Sequence, residues 1–141
     1  MDDKVLLKSL VEGGLLTAEG ASGILRDSSS LKRGAEDIIS ERRLVPEDEL
    51  LKIKSGILGV PGKRITAEEI PAELLKLIPE TTARSYKVVP ISRDKNLLIV
   101  GMIHPEDSGA QEALRYIARQ NKVSLGVYLL VQSDLDAVLR L

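Results

Sequence analysis

The chain has 141 residues, 43% of them hydrophobic, which is enough for one core, or for one core and a small helical appendage. It contains no cysteine, so disulfides, thiolate zinc sites and thiol catalysis are excluded. Basic and acidic residues are nearly equal in number, 20 against 21, and interspersed, so the basic excess that duplex nucleic acids require is missing.

The apolar residues are almost all aliphatic. Tyr86, Tyr116 and Tyr128 are the aromatic residues, with no Phe or Trp, so Leu, Ile, Val and Ala must form the core. No apolar run approaches the roughly 20 residues that span a bilayer, and residues 1–4 lack the basic start of a signal peptide. These features predict a cytoplasmic protein.

The first part of the chain, residues 4–64, contains helical patterns. Gly13-Gly14 ends the first helix, and Thr17 is the N-cap of the second. Ser28 to Ser30 is expected to form a turn, and Pro46 suits the first turn of the fourth helix. Helices are predicted over residues 5–11, 18–27, 31–42 and from 46 to Gly56 or Gly59.

A weak internal repeat links these helices. Residues 10–16, Leu-Val-Glu-Gly-Gly-Leu-Leu, align with residues 39–45, Ile-Ser-Glu-Arg-Arg-Leu-Val, at an offset of 29 residues. Neither copy can bury its apolar face alone, so the repeat predicts two stacked helix–turn–helix pairs.

The segment of residues 59–64, Gly-Val-Pro-Gly-Lys-Arg, is predicted to be a linker turn. A phosphate-binding Walker A loop would need a glycine at position 57 and a serine or threonine at position 64. Ile57 and Arg64 stand there instead. We therefore expect two domains, residues 1–58 and residues 65–141.

The second part alternates helices and strands. A helix over residues 73–78 is expected to end at Pro79, followed by an extended segment over residues 86–91. A polar turn over residues 93–96 leads into residues 97–103, which are expected to form a strand buried on both faces. A helix then begins at Asp107 or Ser108, a third strand covers residues 123–131, and Ser133 caps the last helix. The predicted fold class is α/β (α+β): an N-terminal helical subdomain, then a small α/β sandwich with a mixed sheet of about three strands.

His104 is the only histidine, and it precedes Pro105 at the end of the predicted second strand. Glu106 and Asp107 follow, so the pattern indicates a strand-to-helix turn. Neither a nucleophile nor a second histidine accompanies it in the sequence, so we predict no catalytic residue, no metal site and no bound cofactor.

The order of proline-marked elements in the second part resembles the N-terminal domain of the motor ATPases of type II secretion (GspE-type) and of type IV pili. The residues that carry it are Leu77-Ile78-Pro79-Glu80, Ala83 to Ile91, Leu97 to Met102, and His104 to Asp107. The resemblance covers residues 70–140 well and residues 5–58 loosely. Because the Walker motifs, the acidic and histidine boxes and the tetracysteine site are missing from these 141 residues, it implies a non-enzymatic domain, either part of a longer ATPase or a stand-alone adaptor.

The resemblance also implies a partner. N-terminal regions of these ATPases dock on the cytoplasmic domain of an inner-membrane platform protein, which would bring the chain to the cytoplasmic face of that membrane only through the partner. A mixed-charge helical face is the candidate docking surface. Its residues are Arg26, Arg42, Arg43, Glu47, Asp48 and Glu49.

The alternative function implied by the resemblance is a cyclic-di-GMP-sensing regulatory domain. Related ATPases carry two copies of a motif that reads Arg-Leu-Gly, two residues, Leu-Val, two residues, Gly-Leu-Ile, and then a helix that ends in Gln. Residues 10–16 keep the middle of the first copy, but Val5-Leu6-Leu7 stands at its start, and Arg43 replaces the glycine of the second copy. The candidate ligand residues are Arg33, Leu10, Val11, Leu15 and Arg43.

Overall fold

The structure is a computed structural model, and it describes residues 1–140. The chain forms two compact units, Met1–Gly59 and Val60 onward. The first is entirely helical, and the second combines helices with a sheet.

The helical unit contains four helices: α1 (Asp3–Glu12), α2 (Ala18–Leu31), α3 (Ala35–Arg42) and α4 (Glu47–Leu58). The Thr17 hydroxyl accepts a hydrogen bond from the Gly20 backbone N–H at 2.9 Å, so the predicted N-cap is confirmed. Helix α4 ends at Gly59, which has a left-handed backbone with φ of 67°, as a C-terminal glycine stop requires.

The boundary between α2 and α3 differs from the prediction. Ser28 to Ser30 lie inside α2, and Leu31 is its last residue rather than the first of α3. Ser28 lies in the last turn of α2, because Lys32 is the left-handed C-cap and the Arg33 N–H donates to the Ser28 carbonyl at 3.2 Å, which satisfies a C-terminal end, not an N-terminal one. The first turn of α3 is instead capped from α1, where the Asp3 carboxylate accepts from the Ala35 N–H at 3.2 Å.

The turns after α1 and α3 share one backbone geometry. Gly14 and Arg43 both have left-handed backbones, with φ of 74° and 53°. In each turn the next residue bonds back across the helix end: Leu15 N–H to the Leu10 carbonyl at 2.9 Å, and Leu44 N–H to the Ile39 carbonyl at 3.1 Å. This six-to-one bond satisfies a helix-end carbonyl and reverses the chain.

The core of the helical unit is aliphatic and contains one charged group. Leu10 and Ile39, which are equivalent in the repeat, are both fully buried. Lys54 is only 2% exposed, and its Nζ lies 2.6 Å from Glu36 Oε2. A buried ammonium is costly unless it is paired, and this ion pair links α4 to α3.

The second unit starts with a 3-10 turn (Ala67–Glu69), α5 (Ala72–Leu75) and α6 (Glu80–Tyr86). Next come β1 (Val88–Arg93), β2 (Leu97–Met102), α7 (Ser108–Gln120), β3 (Ser124–Leu129) and α8 (Gln132–Leu139). The sheet order is β1-β2-β3, with β1 antiparallel and β3 parallel to β2. The predicted fold class, with its three-stranded mixed sheet, is confirmed.

Three local predictions in this unit were wrong. Helix α6 was not predicted, and Tyr86, which was expected to begin the extended segment, is its last residue; a proline that ends one helix also suits the start of the next. The helix expected over residues 73–78 is confined to α5. Ser133 lies inside α8, whose N-cap is Val131.

Strand β2 is buried on one face and partly buried on the other. Leu98, Val100 and Met102 are buried, whereas Leu97 and Ile99 are half-exposed, so full burial on both faces was wrong. Gly101 is the exception on the second face. A Cβ there would lie 2.4 Å from Leu130 Cδ1, so only glycine fits beneath that side chain.

We expect Gly101→Ala to destabilise the α/β unit by about 1–3 kcal/mol, since Leu130 must move out of a packed position. Gly126→Ala on neighbouring β3 is the control, because its Cβ would meet Ile99 at an ordinary 3.5 Å. Thermal unfolding followed by circular dichroism measures both. Equal stability of the two variants would contradict the close approach at Gly101.

We expect Arg43→Gly to stabilise the helical unit by about 1 kcal/mol, because glycine adopts the left-handed backbone without the penalty of a Cβ. Arg42→Gly is the matched control. It lies in the right-handed last turn of α3, where glycine costs up to about 1 kcal/mol. The free energies of unfolding of the two variants, measured by chemical denaturation, should therefore change in opposite directions. A change in the same direction would refute the backbone argument.

Candidate functional site

The predicted docking residues cluster around the turn between α3 and α4. Arg42 is the last residue of α3, and Arg43 forms the left-handed turn. After three residues, Glu47, Asp48 and Glu49 make up the first turn of α4. Acidic side chains there are stabilised by the positive end of the helix dipole. Two arginines and three acids are thus presented within eight consecutive residues.

The guanidinium of Arg42 is held in place by a neighbouring helix. Its Nη1 donates to Asp27 Oδ2 on α2 at 2.6 Å. Arg26 precedes Asp27 on α2 and is exposed. Both members of the Arg42–Asp27 pair keep more than 40% of their side-chain surface exposed, so the pair orients the guanidinium more than it stabilises the fold.

The residues predicted to contact cyclic-di-GMP differ in burial and do not all lie close together. Leu10 has no exposed surface, while Val11 and Leu15 are half-buried. Arg33 precedes α3 and Arg43 follows it. That helix has eight residues, about 12 Å in length. The structure therefore places the two arginines at opposite ends of α3.

Arg33 already has a carboxylate partner. Its Nη1 donates to Glu41 on α3, and this hydrogen bond, together with the charge of Glu41, raises the pKa of Arg33 above its usual value. An anionic ligand at Arg33 would have to compete with Glu41 for the guanidinium.

Two ion pairs that organise the molecule were missed from the sequence. The sequence does not indicate the buried Lys54–Glu36 pair, because a lysine in an amphipathic helix is normally on the surface. In the α/β unit, Arg64 donates to both oxygens of Asp134, at 2.9 and 3.2 Å, and Asp134 also accepts from the Ile65 N–H at 3.0 Å. These contacts join the start of the unit to α8 across 70 residues of sequence, a separation that no local pattern reveals.

The remaining sequence candidates take structural roles. His104 lies between β2 and α7, with Nδ1 3.5 Å from Glu106 Oε1. Lys63 pairs with β3 through its N–H and the Leu129 carbonyl at 3.0 Å, so residues 59–64 do not form a phosphate loop. Residues 1–140 hold no group of three or more histidine, aspartate or glutamate side chains able to hold a metal ion.

A groove of about 550 Å³ lies along α5 and the end of β1. Its floor is apolar, and its rim carries both charge signs. The lining residues are Glu69, Pro71, Glu73, Leu74, Leu77, Ile91, Ser92 and Arg93. Within residues 1–140, no helix is both long and apolar enough to cross a membrane.

Comparison with solved structures identifies the same fold elsewhere. A structure of MshE with cdg superimposes with a TM-score of 0.72 at 23% identity, covering 96% of each chain. The N-terminal domain of XpsE superimposes with a TM-score of 0.69 at 15% identity, covering 98% of this chain and 93% of that one. At these identities the likeness establishes the fold alone.

Sequence comparison establishes the family. The chain is 29% identical over 77 residues to the type IV pilus assembly ATPase PilB of Myxococcus xanthus (strain DK1622), a match that covers 55% of this chain and 14% of PilB. The chain thus corresponds to a small part of that ATPase, and to its N-terminal domain rather than its catalytic one. Residues 58–141 match the family model of the MshEN domain. The chain therefore belongs to the MshEN domain family, found at the N-terminus of secretion and pilus motor ATPases.

Proposed function

We propose that this chain is a non-catalytic docking domain, which recruits a type II secretion or type IV pilus motor ATPase to the cytoplasmic domain of an inner-membrane platform protein. The chain would reach the cytoplasmic face of the membrane only through that protein. The observation that carries the proposal is the mixed-charge surface around the α3–α4 turn, formed by Arg26, Arg42, Arg43, Glu47, Asp48 and Glu49. We also propose that residues 1–58 and 65–141 are separate domains, with this surface on the first.

The charges of this surface suit recognition of another protein. Arg42 is oriented by Asp27 at 2.6 Å, and a partner carboxylate would have to share the guanidinium with Asp27. Arg43 stands on a backbone turn rather than on a flexible loop. The neighbouring acids of α4 would favour basic groups of the partner, and such alternating charges fix the orientation of docking more than its affinity.

The side chains of the described residues support the non-catalytic part of the proposal. The single histidine, His104, is paired with Glu106, not with a hydroxyl that it could activate. Acyl or phosphoryl transfer would need a nucleophile with an adjacent base, or a metal site. Neither arrangement is found among residues 1–140.

We expect Arg42→Glu combined with Arg43→Glu to weaken binding to the platform protein's cytoplasmic domain at least tenfold, because two attractive contacts become repulsive. Lys4→Glu combined with Lys8→Glu makes the same charge change on the exposed face of α1 and serves as the control. Calorimetry measures the affinities, and circular dichroism checks the fold. Unchanged affinity of the arginine variant, or an equal loss in the control, would place docking elsewhere.

A second candidate function, sensing of cyclic-di-GMP, is favoured by one observation. The turns after α1 and α3 repeat the same left-handed geometry, as a ligand with two equivalent halves would require. MshE, whose structure with cdg has the same fold, supports this candidate. Against it stand the burial of Leu10 and the engagement of Arg33 by Glu41.

Titration of cyclic-di-GMP into the isotope-labelled chain separates the two candidates. If docking is the function, backbone amide shifts should stay unchanged up to millimolar ligand. Saturable shifts over residues 5–55 would instead establish a nucleotide sensor, and Arg33→Ala with Arg43→Ala should then abolish them. Arg26→Ala is the control for general loss of positive charge.

A further inference from the structure

The α/β unit carries a second charged surface, at the end of the sheet where the β1–β2 hairpin meets the end of α7. We call it the basic surface, and it consists of Arg93, Lys95, Arg115, Tyr116, Arg119 and Lys122. All six side chains are exposed. Residues 93–96 and 112–124 together contain five basic and two acidic residues, in a chain whose net charge is −1.

Hydrogen bonds join the two parts of the basic surface. The Arg93 guanidinium lies 3.4 Å from Asn121 Oδ1 and 3.5 Å from the Asn121 carbonyl, which brings the hairpin to the end of α7. The Ser124 N–H donates to the Asn96 carbonyl at 2.8 Å. One of the two acids, Asp94, is used in the hairpin itself, where it accepts from the N–H groups of Asn96 and Leu97.

Helical spacing directs the α7 members to solvent. The opposite face of α7 is buried in the core through Ala110, Leu114, Ile117 and Ala118. Arg115 and Arg119 are one turn apart on the outer face, about 6 Å between their Cβ atoms. Tyr116 lies beside them and is 58% exposed. The other two aromatic residues, Tyr86 and Tyr128, are partly buried.

The arginines of this surface lack the carboxylates that neutralise others in the same unit. Arg64 pairs with Asp134 and Arg84 with Glu80. Arg93 and Arg115, by contrast, bond only to amide and carbonyl oxygens. Among the described residues 1–140, no carboxylate lies within ion-pair distance of Arg93, Arg115 or Arg119. The positive charge of this surface therefore remains available to an external anion.

We propose that the basic surface docks an acidic segment of a partner protein. Arginine and tyrosine are the residues enriched at the energetic centres of protein interfaces. The two guanidiniums, one turn apart on the outer face of α7, match carboxylates spaced two residues apart in an extended segment, about 6–7 Å. The Tyr116 hydroxyl, beside the two arginines, would donate a hydrogen bond to a carboxylate of the segment.

Other anionic partners fit less well. A membrane surface is normally bound by a helix that inserts an apolar face, but the apolar face of α7 is buried in the core. Single-stranded nucleic acid needs several aromatic platforms on which successive bases stack, and Tyr116 is the only aromatic residue of this surface. Charge complementarity therefore favours an acidic protein segment. This docking is independent of the surface around the α3–α4 turn.

The test uses the whole chain and a synthetic 12-residue peptide in which glutamate alternates with serine and leucine. We expect amide shifts confined to residues 93–96 and 112–124, with binding weakened by added salt. Arg115→Glu combined with Arg119→Glu should weaken binding at least tenfold. Lys76→Glu combined with Arg140→Glu is the control, because it reverses two exposed charges elsewhere in the same unit. It should change the affinity for the peptide less than twofold.

Three results would overturn the proposal. The first is binding that is equal in both charge-reversed variants, which would show a general charge effect. The second is tighter binding to vesicles containing 30% phosphatidylglycerol than to the peptide, and the third is tighter binding to a single-stranded oligonucleotide. Tyr116→Ala, which keeps every charge, should weaken peptide binding severalfold even if the arginine variant fails to fold. The Arg42→Glu, Arg43→Glu variant should bind the peptide normally, so failure here is separable from failure of platform docking.

Discussion

The left-handed turns after α1 and α3 are the constraint on which the helical unit depends. Each turn satisfies a helix-end carbonyl with a six-to-one hydrogen bond and redirects the chain at the end of the helix. Leu10 and Ile39, the acceptors of these bonds, are also fully buried core residues. The same positions therefore determine the path of the backbone and the packing of the core. The candidate docking and ligand-binding residues of this unit lie on or next to the helices that these turns connect.

The two charged surfaces differ in how their charges are compensated. Around the α3–α4 turn, Arg42 is held by Asp27 and acids follow within a few residues, so the surface has both signs. On the basic surface, arginines are held only by neutral oxygens and retain their full charge. A mixed surface selects the orientation of a partner, whereas a uniform one attracts any acidic segment over a longer range.

Local signals decided which elements were predictable from the sequence. The Thr17 cap, the hairpin turn at residues 93–96 and the start of α7 at Asp107 or Ser108 were predicted, because each is encoded within a few residues. Helix α6 was missed because Pro79 both closes one segment and opens the next. The candidate site was harder to predict from the sequence. The sequence repeat aligns Leu10 with a ligand-binding motif, but it does not show that the Leu10 side chain faces the core. The pairs Lys54–Glu36 and Arg64–Asp134 join distant segments, and no pattern within one segment predicts them.

Arg43 separates the two copies of the repeat more sharply than any other position. The first copy has glycine at the left-handed position and the second has arginine, although arginine there costs about 1 kcal/mol of backbone strain. A ligand with two identical halves would be served best by two identical turns, and the second turn instead presents a cation. A protein partner has no such symmetry and gains from a cation on a fixed turn. The difference in side chain between Gly14 and Arg43, on turns that share one backbone geometry, supports the docking proposal over the nucleotide-sensing candidate.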